Sequence, residues 1–375
     1  MSSDAGGHGT PAPPRYYPPP GYNPPPGYYP PSYYGYPPMA RPPALKPGVI
    51  PLRPLSLSDV FNASVSYIRT NPKATLGLTT IVVVVAQVIA LLIQIGPLAS
   101  AAGVLSPTAA GRFDQSDVPE ISDSAIVGLL LSSTAGIVTT ALAGIVLSGL
   151  LTVVVGRAIF GSTISIGEAW HRVRGRLLPL LGVTALEAAG ASVLIVVVVG
   201  LVAAVSQIIG GAAAFIVGVL FGLALIALLV YLYTMLSFAP TLIVLERIGV
   251  WHAISRSFAL VKNDFWRVFG ILLLAVVVAG VVSGAVAAPF SVVGQIMLAV
   301  GESTRTAIIA VVLISVGGAI GQIVTAPFNA GVVVLLYTDR RIRAEAFDLV
   351  LQTGASGIGL GPTNSTDDLW LTPQR

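Results

Sequence analysis

Few residues within the apolar stretches of this chain could do chemistry, and most of those are amides. Glu187 is the one carboxylate inside a long apolar run. A charge at the centre of a membrane helix costs about 2.5–3.5 kcal/mol on insertion scales, and such residues tend to serve proton, ion or substrate handling. Two readings of Glu187 stand side by side. It is either a site facing the interior of a helical bundle, or a protonated or snorkelling side chain with a packing role. Gln87 and Gln94 lie seven apart on one face of the first apolar run and could join Glu187 in a polar path. Gln295, Gln322 and Asn329 add further amides. Hydrogen bonding between helices is the competing explanation, contributing about 0.6 kcal/mol per bond on average.

Other chemistry has little material. The chain has no cysteine, which removes disulfides, thiolate catalysis and the common structural zinc sites. Its three histidines, His8, His171 and His252, are too dispersed to read as a metal cluster. There is no His-Glu-x-x-His motif and no Gly-x-Ser-x-Gly elbow. The glycine-rich run Gly357–Gly361 neither follows a strand nor opens a helix. The expectation is a protein without catalysis, cofactor or metal, and without nucleic acid as a partner.

The elements that must position Glu187 are membrane spans. Of 375 residues, 54% are hydrophobic and 10% charged, against about 25% charged in soluble domains. A span needs about 20 apolar residues to cross a hydrocarbon core about 30 Å thick. Six stretches qualify, at about 76–103, 125–155, 180–206, 212–244, 269–299 and 307–337. The third and fourth are divided by a turn at Gly210-Gly211. No cleavable signal peptide is visible, so the first span is expected to direct its own insertion. With the N-terminus in the cytoplasm, the cytoplasmic segments carry six, four, four and four Lys or Arg residues, and the outer loops only Arg112 and Arg305. The positive-inside rule therefore places both termini in the cytoplasm and the protein in the plasma membrane. The fold class is all-α, an integral membrane bundle of six helices.

Three domains follow. Residues 1–54 hold 18 of the 28 prolines and eight of the 12 tyrosines, with Pro-Pro-x-Tyr ending at Tyr16, Tyr22, Tyr28 and Tyr33. Proline removes backbone donors and biases the chain to polyproline II, so this reads as a disordered tail, open to a protein partner that docks on Pro-rich segments. Residues 55–350 form the membrane domain, and 351–375 a disordered C-terminal tail.

A threefold internal repeat precedes spans one, three and five. Aligned on Gly77, Gly182 and Gly270, positions 16, 12 and nine upstream are apolar: Phe61, Ile166 and Ile254; Val65, Trp170 and Phe258; Ile68, Val173 and Val261. Eight upstream stand Arg69, Arg174 and Lys262. Spacings of four and three trace one helical face. Each repeat thus reads as an amphipathic interfacial helix followed by a two-span hairpin, its basic residue directed at anionic lipid headgroups. The alternative is a cap packed on the bundle. Small residues four apart (Gly218 and Gly222, Gly280 and Gly284, Gly317 and Gly321) suit close packing of helices within the chain or between copies. Pro289 and Pro327, each within Ala-Pro-Phe, favour kinks.

The stretch Ala239-Pro240-Thr241-Leu242-Ile243-Val244-Leu245-Glu246-Arg247, continued by Ala253–Val261, is similar to a pattern in the membrane domain associated with glycerophosphodiester phosphodiesterases and in YciC-like inner-membrane proteins. Tyr337-Thr338-Asp339-Arg340-Arg341-Ile342-Arg343 resembles the end of actinobacterial proteins of this kind. The resemblance implies six spans and an envelope setting. It implies no phosphodiesterase activity, because the catalytic barrel of those enzymes is a separate soluble domain, and it carries over no functional residue. The leading expectation is a non-catalytic membrane protein that organises envelope components through its tail and basic interfacial helices. The alternative is a transporter or lipid-handling protein using the bundle interior around Glu187.

Overall fold

The computed structural model describes residues 48–104, 123–347, 349 and 369–371, except 52, 209 and 302. The Pro-Tyr tail up to residue 47 and the acidic first loop fall outside them. Within the described residues the chain is helical, with no strand, and six helices are long and apolar enough to cross a membrane. This is a multi-pass integral membrane protein.

The order of elements follows the repeat. The first unit is α1 (Leu57–Thr70), α2 (Pro72–Val104) and α3 (Asp123–Ile159). The second is α4 (Ile166–Val173), α5 (Leu177–Ile208) and α6 (Gly211–Leu236), with a short α7 (Ala239–Leu245) appended. The third is α8 (Val250–Val261), α9 (Phe265–Val300) and α10 (Thr304–Glu345). Three-residue 3-10 turns, Arg174–Arg176 and Lys262–Asp264, join α4 to α5 and α8 to α9. In the first unit Asn71 ends α1 and Pro72 opens α2. Proline fits there because the first turn of a helix has no use for its missing N–H.

Local chemistry starts the short helices. Ser56 caps α1 in a reciprocal box with Asp59, and Ser165 accepts from the Glu168 backbone N–H. Each satisfies a donor the helix would otherwise leave orphaned. Gly249 opens α8 without a side-chain cap.

The short helices dock on the bundle, as the second of the two readings expects. Val60, Ala63, Ser64 and Tyr67 of α1, Ala169 and Val173 of α4, and Ala253, Ser257, Leu260 and Val261 of α8 are buried. The repeat's stripe straddles that face, since Val65 and Trp170 stay exposed. Trp251 and Trp266 are also exposed at this end of the bundle, where an amphipathic indole suits the boundary between lipid and water.

Helix α10 is the hub, packing on α1, α2, α3 and α9. Gly317 and Gly321 let it approach α9 closely: a Cβ on Gly317 would lie 2.6 Å from Phe290 Cβ, and one on Gly321 3.3 Å from Ser283 Cα. Gly280, Gly284 and Gly222 meet nothing within 4 Å, so only one of the three small-residue stripes is spent wholly on packing within the chain. Both α9 and α10 run on as helices through Pro289 and Pro327.

Helices α5 and α6 behave differently. They pair with each other and reach the other spans through α3 on one side and α9 on the other. In their most apolar stretches no residue is buried within the chain, against 44% for α3. At 32 residues α5 is about 48 Å long, longer than the hydrocarbon core, so it tilts or projects.

Ile50 and Leu55 are fully buried in the core, so packing begins before residue 55. Tail residue Trp370 is 2% exposed, with its ring 5.5 Å from Phe160 and 5.2 Å from Phe347. The C-terminal segment, read from its sequence as patternless, contains a buried anchor.

The α1–α10 contact turns on Gly331, where a Cβ would stand 2.6 Å from Tyr67 Cε1 and 3.2 Å from Ser64 Cβ. Tyr67 donates to the Pro327 carbonyl, and burial keeps its phenol protonated by raising it well above its ordinary pKa. Gly331→Ala is expected to lower the melting temperature in detergent by several degrees, the effect of about 1–3 kcal/mol of overpacking. An unchanged melting curve would show that α1 does not rely on this contact.

Candidate functional site

Glu187 sits about three turns into α5 and points into a cavity of about 330 Å³. The walls come from α3, α5, the end of α6, α7 and α10. Besides Glu187, the polar lining is Ser148 and Thr152 of α3, Tyr233 of α6, Ser237 and Thr241 around the start of α7, and Gln322 and Asn329 of α10. Leu147, Leu151, Leu236, Ala326, Ala330 and Val333 supply the apolar remainder. The cavity exists because α5 does not pack along α10, which leaves a crevice between the hairpin and the hub.

One of these polar groups, Ser237, is already spoken for. Thr241 is buried, and Ser237 donates to the Thr234 carbonyl at 2.8 Å. Asn329 is not: the oxygen of its side-chain amide is shielded from solvent and makes no hydrogen bond among the described residues. A buried amide atom without a partner costs about 1–3 kcal/mol, which a polar ligand or water in the crevice would recover.

Of the sequence-predicted polar set, the fold separates the glutamines from Glu187. Gln87 donates from Nε2 to the Ser315 carbonyl at 3.4 Å, tying α2 to α10. Gln94 lies against Gly136 of α3, its Nε2 3.1 Å from where a Cβ would stand. Neither lines the crevice. Gln322 and Asn329, seven apart on α10, do line it. Gln295 is exposed on α9. Arg69, Arg174 and Lys262 are all exposed at the end of the bundle that carries α1, α4 and α8, and Arg174 approaches His171 Nε2 at 2.8 Å. Among the described residues no group of three or more His, Asp or Glu could hold a metal ion.

The frame of the crevice is held by charges, most of them within the 239–247, 253–261 and 337–343 stretches. Glu246, directly after α7, has a fully buried side chain. Arg256 Nε stands 2.6 Å from its Oε2, and the Tyr337 hydroxyl donates to its Oε1 at 2.5 Å. Arg341 lies beside it at 3.7 Å and pairs with Glu345 at 2.9 Å, four residues on. Asp339, also buried, accepts from the Leu55 backbone N–H at 2.7 Å, from Arg267 at 3.1 Å and from Arg343 at 3.0 Å. Arg340 is paired with Asp264. Thus the Asp339-Arg340-Arg341 run of α10 reaches the start of α1, the turn before α9, and the α7–α8 joint.

Removing one partner of a buried pair leaves the other charge uncompensated, at about 3–5 kcal/mol. Glu246→Ala is therefore expected to destabilise the protein severely in a detergent unfolding assay, whereas Tyr337→Phe loses one hydrogen bond and about 1–2 kcal/mol. Equal, small effects would mean that the ionic cluster is solvated.

Residues 63–340 match the family model of DUF7847, a domain of unknown function. No curated protein and no solved structure matches the chain.

Proposed function

The chain belongs to the DUF7847 family, and on that premise we propose that it is a non-catalytic plasma-membrane protein that holds a lipid-like amphiphile in the crevice around Glu187. In this reading both termini are cytoplasmic, as the eighteen-to-two split of Lys and Arg across the loops favours. The observation that carries it is the crevice itself. A carboxylate, two amides and several hydroxyls face one another across a cavity walled by four spans, and one buried amide atom there has no partner among the described residues. Pockets that mix an apolar lining with a few convergent polar groups suit amphiphilic ligands. The loose packing of α5 and α6 supports access from the bilayer. The resemblance of the 239–261 and 337–343 stretches to YciC-like membrane proteins and to the membrane domain associated with glycerophosphodiester phosphodiesterases supports an envelope setting.

In proteoliposomes, Glu187→Gln is expected to reduce lipid transfer, or retention of co-purified lipid, by tenfold or more while insertion and melting temperature stay near wild type. Wild-type transfer and retention in the variant would remove Glu187 from the site.

Organisation of envelope components through the N-terminal tail is a second reading, favoured by the four Pro-Pro-x-Tyr segments. Because packing begins by residue 48, the clean test removes residues 1–43. Partner recovery should fall without loss of insertion; undiminished recovery would count against the tail.

A further inference from the structure

The crevice around Glu187 holds a negative charge and several acceptors, but nothing positive. Among the described residues no Lys, Arg or His lines it. The guanidinium groups of the neighbouring ionic cluster are committed to other carboxylates. Arg256 and Arg341 face Glu246, Arg267 and Arg343 face Asp339, and Arg340 pairs with Asp264. Opposite Glu187, Gln322 and Asn329 stand seven apart on α10, and the Asn329 amide oxygen has no partner among the described residues. On α3, Ser148 and Thr152 stand four apart, about one turn of helix rise, and bring two hydroxyl oxygens to the same space.

A carboxylate inside a membrane bundle is costly until a proton or an opposite charge meets it. Hydroxyls and amides can donate hydrogen bonds to it, but they bring no charge. A protonated amine brings both: one positive charge and three N–H donors, with no acceptor of its own. A phosphate or carboxylate head group would instead add like charge beside Glu187, with no cation in the lining to meet it. The way in also selects the ligand. Glu187 is about 15 Å along α5 from its first residue, so a free ion would leave water far behind to reach it. The α5–α6 wall is open to the outside, since Tyr233 is 62% exposed and Leu186 43%. A head group carried by an alkyl chain can therefore enter from the bilayer while the chain stays in lipid.

We propose that the crevice binds the protonated amine head group of a cationic amphiphile, held between Glu187 on α5 and the amides of α10, with its alkyl chain outside in the bilayer along α5 and α6. The inference rests on the reading of the crevice as an amphiphile site and adds the charge of the head group.

The test is native mass spectrometry of the full chain in a nonionic detergent at neutral pH, with probes that share one alkyl chain. Dodecylamine should bind about tenfold more tightly than dodecanol or dodecanoic acid, the scale of one charge-assisted hydrogen bond. Dodecyltrimethylammonium keeps the charge but has no N–H, and should bind several-fold more weakly than the amine. E187Q should abolish the preference, weakening dodecylamine about tenfold and leaving dodecanol within about twofold. E187D keeps the charge and should keep the preference, whereas N329L should weaken the amine several-fold. If E187Q does not fold, the ranking of probes on the wild-type chain and the N329L variant still decide. Equal binding of amine and alcohol, both weakened by E187Q, would overturn the ammonium and leave the crevice an amphiphile site. Tightest binding by dodecanoic acid would do the same. If no probe binds, or if E187Q and N329L alter none, the amphiphile reading falls with it. Butylamine binding as tightly as dodecylamine would overturn an amphiphile as the source of the amine. Loss of dodecylamine in sodium chloride, but not in choline chloride at equal concentration, would assign the acceptors to a metal cation and overturn the proposal.

Discussion

The fold depends on two buried carboxylates and the arginines that surround them. Glu246 and Asp339 have fully buried side chains, a placement that is strongly unfavourable for an isolated ion. Each is met by several donors: Glu246 by Arg256, Arg341 and Tyr337, and Asp339 by Arg267, Arg343 and the Leu55 backbone. Those donors come from α8, α9, α10 and the segment before α1. The cluster therefore ties the third repeat unit to the α7–α8 joint and to the segment before α1. Replacing a buried ion cluster by apolar residues of similar volume is often neutral for stability, so the cluster matters here for what it joins. Membrane helices have little hydrophobic drive to associate with one another, so specific polar contacts of this kind carry a large part of the choice.

That constraint acts at one end of the molecule. From there α10 runs back through the bundle against α9 and α2, where Gly317 and Gly321 permit close approach. The α5–α6 hairpin is tied in mainly by α7 and α8, beside the ionic cluster, and stands off from α10 over most of its length. Tight packing at one end and separation elsewhere produce the crevice that receives Glu187. The same carboxylate in a uniformly packed bundle would have met only aliphatic side chains.

Several features could be read before any fold was known. The six apolar runs, the turn at Gly210-Gly211, the amphipathic segments before spans one, three and five, and the intramembrane position of Glu187 all follow from hydropathy and helical spacing. So did the presence of a repeat, although each alignment is short. Helix caps were equally local: Ser56 with Asp59, and Ser165 with Glu168, stand three residues apart in both cases.

Other features were decided only when distant residues met. Gln87 and Gln94 share a helical face with the right spacing for a polar path, yet the fold turns them toward Ser315 and Gly136 rather than toward Glu187. Asp339 and Leu55 are separated by 284 positions, and Tyr337 and Glu246 by 91. No periodicity within one helix encodes such partners. Arg157 and Arg172 look, in sequence, like ordinary positive-inside residues, and only the fold brings both to Glu168, because charge counts report the side of the membrane and not the direction of a side chain. Trp370 looks like part of a patternless tail until Phe160, Tyr337 and Phe347 surround it. The sequence by itself determined what must lie in lipid, where the chain turns and which residues are costly to bury. The tertiary structure decided which of those costly residues compensate one another and which are left facing a cavity, since that depends on how the three hairpins pack.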